Sequence, residues 1–278
     1  MHKMGSKAKH NLKTCSFCNR ELTKKTKSKE HVWPKWLHKK LDMEKKPFQG
    51  VHTDMSGLIV KSTRSQSMNS LVLGGVCTEC NNGWMSDLEM EVAPLFDALW
   101  FLPANDKNIT LKKEACKSIA FWAFKTSLVI NLVSNYRRIV LQEHYNLFYE
   151  QRKLPENVVV DISLTPFKND VFWHQGQFAK GVIPGEIEVT EAMAKIISTL
   201  YVITLDLGGI MLRTSWVPTN FLEVKASNNR NIRRIWPLKK EIKLSLAKRE
   251  YKVLDFHTSV EFKVRNNHSL LLTLQENL

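Results

Sequence analysis

Two Cys-x-x-Cys pairs, CSFC at 15–18 and CTEC at 77–80, stand in the first third of this 278-residue chain. Together they place four thiolates for one tetrahedral Zn²⁺. The gap between the pairs exceeds the roughly 15–20 residues usual for such sites, so a further segment is inserted between the two knuckles. Five cysteines in a chain of this length do not suggest a secreted disulfide scaffold. In a reducing cytosol, a structural zinc on Cys15, Cys18, Cys77 and Cys80 is the expected outcome. Bound zinc typically contributes ~10–16 kcal/mol to a small module, so losing one of these cysteines is expected to unfold it. Cys116 belongs to neither pair and reads as a buried structural thiol.

Charge narrows the class of partner. The net charge is +14, and it is clustered. Residues 1–50 hold 14 Lys/Arg against 4 Asp/Glu, and residues 225–251 hold 9 against 2. Clustered positive charge binds polyanions by releasing their condensed counterions. The expected phosphate contacts are Lys24, Lys25, Lys27, Lys29 and Lys35 in the first cluster. In the second they are Arg230, Arg233, Arg234, Lys239 and Lys240. The bland alternative is a solubilising basic surface. No run of 18 uninterrupted apolar residues predicts a membrane span, and no apolar segment follows the basic N-terminus as in a secretory signal. The expected location is the cytoplasm, with no membrane partner.

Patterning predicts an α+β fold. Residues 1–13 read as a flexible basic arm, 14–103 as a zinc-stapled module and 104–278 as a larger α+β domain of unassigned role. In the module, 56–63 and 69–77 read as strands, and a helix begins near 81 that Pro94 ends or kinks. Thr110 is the expected cap of a helix over 111–135, whose stripe Ile119, Trp122, Thr126, Val129 and Val133 faces the core. Strands are expected at 158–167, 171–179, 201–216 and 253–264, with Gly208-Gly209 as a hairpin turn and a helix near 189–199.

Between the cysteine pairs lies SKEHVWPKWL, residues 28–37, in which Glu30 precedes His31 and a Pro follows at 34. The second pair runs directly into Asn81. The order Cys-x-x-Cys, acid-His-x-x-Pro, Cys-x-x-Cys-Asn resembles the zinc-containing HNH endonucleases, a branch of the ββα-metal or His-Me finger nucleases. The resemblance covers about residues 14–93. It implies a metal-dependent phosphodiester hydrolase in which His31 is the general base. It also implies that Glu30 and Asn81 hold a catalytic Mg²⁺ or Mn²⁺, distinct from the structural zinc. Hydrolysis would leave 5′-phosphate and 3′-hydroxyl ends.

By the same analogy DNA is the expected substrate, with a role in phage defence or a mobile element, and a homodimer or a defence-system protein as partner. The chain departs from the pattern in lacking the further helix His and in carrying Trp84 where a Lys is frequent. Asn69 matches the loop-orienting Asn at a slightly long spacing, and Asn82 competes with Asn81. Asp87 and Glu89 are late-ligand candidates that read more simply as a solvated helix face. Trp33, Trp36 and Trp84 read as packing around the module rather than as base-stacking platforms, and His38 and His52 as surface residues. The rival function is a zinc-ribbon nucleic-acid-binding protein without catalytic activity.

Overall fold

A computed structural model describes residues 13–44, 46–53, 59–62, 65–102, 108–133, 138–168, 170–176, 199–218, 222–238, 240–247 and 253–264. The arm at 1–12 and the helix expected near 189–199, up to residue 198, lie outside these residues, as does Lys239. The fold is α+β. The named strands all pair antiparallel, so the described residues hold no parallel α/β sheet.

A five-stranded sheet forms the centre, in the order Ile232–Trp236, Val158–Leu164, Ile210–Trp216, Tyr201–Leu207, Val171–Gly176. Gly208 and Gly209 turn the 201–216 hairpin with φ of +63° and +101°. Both angles lie where only glycine is unstrained, so the expected hairpin turn is the one observed. The 158–164, 201–207 and 210–216 strands are buried on both faces, and alternation explains how. On one face Thr214 meets Ser127 of the helix Lys113–Val133. On the other, Arg213 donates to the Phe256 carbonyl of the short helix Val253–Thr258.

That short helix corrects the strand expected over 253–264. Residues 253–258 are helical and only Phe262–Val264 is a strand, because Phe256 and His257 are both drawn under the sheet, His257 pairing with Thr204. Thr110 is likewise not a helix cap: it lies in the strand Asn108–Leu111, paired to Ile242–Ser245, and the helix starts at Lys113. Pro94 does not end its helix, which runs Ser86–Trp100. Pro94 and the Met90 carbonyl it leaves without a donor both lie on the solvent face, where water replaces the lost bond. The buried face, Val92, Phe96, Leu99 and Trp100, is undisturbed.

The long helix Lys113–Val133 meets the length and composition of a membrane span, yet 83% of its apolar window is buried inside the fold. It is a core helix. Cys116 on it is fully buried and its thiol is pushed up to about 11 by burial, consistent with a structural role. One buried apolar cluster reaches from Cys15 to Leu244, so the core continues past position 103.

A buried ion cluster crosses the sheet. Asp161 accepts from Arg213 Nη2 at 2.8 Å and from Arg234 Nε at 3.2 Å. Arg234 also donates to the carbonyls of Val224 and Lys225, so its guanidinium is committed to the fold rather than presented to phosphate. Asp161→Ala would strand a fully buried guanidinium, and breaking such a pair costs about 3–5 kcal/mol. Urea denaturation is expected to show that loss. Arg234→Ala, at a partly exposed side chain, should cost clearly less, and the reverse order would contradict this reading.

Two buried histidines make the fold acid-sensitive. Burial holds His144 down at about 4. Burial, then His174 and Arg213, hold His257 at about 3. Above the unfolded value near 6.5 neither binds a proton in either state, so there is no pH term. As pH falls from about 6.5 towards 4, the unfolded chain takes up protons that the native state refuses, and stability is lost through that window. At full effect the loss is about 3 kcal/mol for His144 and about 5 kcal/mol for His257, the latter complete only below about pH 3. The urea midpoint is expected to drop between pH 7 and 4.5, and to drop less in His144→Gln. Equal drops in both proteins would exclude this origin.

Candidate functional site

The four cysteine sulfurs expected to hold zinc converge, all within 4.8 Å of one another. Cys15 Sγ lies 3.9 Å from Cys80 Sγ, and Cys18 Sγ lies 3.6 Å from Cys77 Sγ. A tetrahedral Zn–S distance of about 2.3 Å requires sulfur–sulfur edges near ~3.8 Å, so the donor set fits a structural zinc. None of the five cysteines is in a disulfide. The backbone N–H of Cys77 points at Cys15 Sγ and that of Cys80 at Cys77 Sγ, both at 3.4 Å. The Cys80 thiol and the backbone N–H groups of Cys18, Cys77 and Phe17 hold the Cys15 thiol low, while the same pairing pushes Cys80 up. Gln142 donates to the Ser16 carbonyl, and Tyr145 and Phe148 pack on Phe17 and Trp84. The helix Gln142–Gln151 thus closes over the cysteine cluster.

Glu30 and His31 form a short strand paired antiparallel with Val72–Leu73, in the register Glu30↔Leu73 and His31↔Val72. The strand expected over 69–77 is shorter, because Met68–Ser70 turn as a 3-10 segment capped by Ser67 Oγ on the Asn69 N–H. Asn69 itself is exposed. Of the strand expected over 56–63, Ile59–Ser62 pairs with Val51–Thr53. After Val72–Leu73 comes the turn at Cys77–Cys80, then a wide turn over Asn81–Met85 that breaks helical geometry at Gly83, then the helix Ser86–Trp100. The chain therefore runs strand, strand, cysteine turn, helix. Asn81 is half-buried at the start of the wide turn and Asn82 is exposed.

His31 is partly exposed, and its Nδ1 is buried with no hydrogen-bond partner among the described residues. Its pKa is lowered first by burial and then by the Lys35 charge, with Glu89 opposing. The ring is therefore neutral near pH 7 and able to accept a proton. His38 is not a surface residue: it is buried, with its ring 5.9 Å from that of His31 in an edge-on arrangement. The Leu37–His38 side of the helix Lys35–Lys40 turns inward while Lys35 and Lys39 stay exposed. The side chain of His52 lies outside the described residues.

The surroundings of Glu30 differ most from expectation. Its carboxylate is buried, with Oε1 3.6 Å from the ammonium of Lys125 on the long helix. The same ammonium lies 2.6 Å from Glu89 Oε1. Glu89 is therefore an ion-pair partner rather than a solvated helix residue, whereas Asp87 is exposed. Burial raises Glu30 to about 7 even though Lys125 opposes the shift. Lys125 stays charged, its own burial outweighed by Glu89 and Glu30. It had no signal in the sequence beyond being a charge inside an apolar helix. Among the described residues the cysteine cluster is the one group of three or more His, Cys, Asp or Glu side chains whose ligand atoms converge.

The expected basic contacts divide. Lys24, Lys25, Lys27, Lys29 and Lys35 are exposed around the cysteine turn and the His31 strand, as are Arg230 and Lys240. Arg233 is half-buried and caps the Ile232 carbonyl. The three tryptophans pack, as expected. Trp36 lies against Phe96, Trp100 and Trp122, Trp33 against Trp173, and Trp84 against Phe17 and Phe148.

No family model matches the chain, and neither does any curated protein or solved structure.

Proposed function

We propose that the protein is an HNH-type endonuclease that hydrolyses nucleic-acid phosphodiester bonds, DNA foremost, with His31 as general base. The observation that carries this reading is a neutral, partly exposed His31 on an antiparallel strand pair that leads through a four-cysteine turn into a helix. That is the chain order the ββα-metal resemblance calls for. His31 would take a proton from water as the water oxygen bonds to phosphorus. The P–O3′ bond then breaks, and the leaving oxygen takes a proton from solvent water to give 3′-hydroxyl and 5′-phosphate ends. The exposed lysines at 24, 25, 27, 29 and 35 would hold phosphates without reading sequence. Zinc would fix the turn and take no part in the chemistry.

The resemblance also implies Mg²⁺ or Mn²⁺ on Glu30 and Asn81. The residues around Glu30 do not suit a divalent ion, because the carboxylate already faces a buried ammonium. That same observation favours the rival reading, a zinc-ribbon protein that binds nucleic acid without cleaving it. Supercoiled plasmid incubated with zinc-loaded protein, with and without Mg²⁺ or Mn²⁺, separates the two. Nicking by the wild type that His31→Ala lacks supports the nuclease. Salt-sensitive binding by both proteins without nicking supports the rival.

A further inference from the structure

We propose that Lys125 is the resident cation beside His31, held between Glu30 and Glu89, so that Glu30 is not free to bind a divalent ion. The inference rests on the reading above only in treating His31 as the reactive group.

Three elements meet at this ammonium. Glu30 comes from the His31 strand, Glu89 from the helix Ser86–Trp100 and Lys125 from the long core helix. Lys125 has no exposed surface, so it touches no substrate and serves only its two carboxylates. A buried ammonium without a counter-charge would be strongly destabilising, and Glu89 at 2.6 Å and Glu30 at 3.6 Å offset that cost. Glu30 is thereby explained without a metal.

Electrostatics points the same way. A divalent ion on Glu30 would sit a few ångströms from the Lys125 ammonium, which is 3.6 Å from Glu30 Oε1, with little water to screen the repulsion. The ion pair links Glu30, on the His31 strand, to the long core helix.

Ion uptake tests this without reference to cleavage. Zinc-loaded full-length protein is titrated with Mn²⁺, and free Mn²⁺ is followed by electron paramagnetic resonance. The expected result is no stoichiometric Mn²⁺ site that depends on Glu30, so wild type and Glu30→Gln give the same curve. Lys125→Met should gain one Mn²⁺ per chain, and adding Glu30→Gln should remove it. A wild-type Mn²⁺ site abolished by Glu30→Gln would overturn the proposal. Should Lys125→Met fail to fold, the comparison of wild type with Glu30→Gln still decides. A protein that never nicks DNA passes or fails in the same way, so this outcome is separate from that of the nuclease reading.

Discussion

Cys77→Ser is expected to release the zinc and unfold the region it staples. Cys77 sits at the centre of the cluster. Its sulfur is 3.6 Å from Cys18 and accepts the Cys80 N–H, its own N–H points at Cys15 Sγ, and its backbone bridges to Lys27. The next residues form the turn from which Asn81 and the helix Ser86–Trp100 continue. Zinc in such a site typically contributes ~10–16 kcal/mol, while a whole protein is stable by about 5–15 kcal/mol. A hydroxyl is a poor zinc ligand at neutral pH, so most of that contribution disappears. Metal analysis should find about one zinc per chain in the wild type and close to none in Cys77→Ser. The variant should also lose its cooperative thermal transition. Cys116→Ser is the matched control: Cys116 is equally buried, but its sulfur meets only the Leu111 carbonyl at 3.8 Å, so zinc content should not change. Full zinc and an unaltered transition in Cys77→Ser would remove the structural zinc from the account.

What could be read from the sequence divides along physical lines. The cysteine cluster was legible because each Cys-x-x-Cys pair is local and its residue type has few other uses in a chain of this kind. The Gly208-Gly209 hairpin was legible for a similar reason: the required backbone angles select glycine. Lys125 was not legible, because its partners are 36 and 95 positions away, and within FWAFKTSLVI it looks like an interruption in a core stripe. Its role exists only once the fold brings three elements together. The same distance hides the pairing of Glu89. For His38, HKK following a Trp-Leu pair suggests a solvated helix end, whereas the neighbouring His31 strand covers one side of it. The helix at Val253–Thr258 escaped detection since six residues give less than two turns of periodicity, and its buried Phe256 and His257 match a strand equally well. Among the basic residues, the exposed lysines at 24–35 could be foretold from charge alone. Arg234 could not, because only the sheet register sets it beside Asp161.

His31→Ala separates cleavage of DNA from binding to it. General-base catalysis by a positioned imidazole is worth roughly 10²–10⁴-fold in rate. His31 is placed to act at neutral pH, since burial and Lys35 keep its ring uncharged. Removing the ring leaves the zinc turn, the Lys125 cluster and the exposed lysines in place, so zinc content, folding and DNA affinity should hold. The measurement is the rate of supercoiled-plasmid nicking by zinc-loaded wild type and His31→Ala, side by side, with affinity for the same DNA measured in parallel. The expected result is nicking by the wild type, reduced at least about 100-fold in His31→Ala, with binding unchanged. Equal nicking by the two proteins, or none by either with binding intact, would contradict the assignment of His31 as the base of a nuclease.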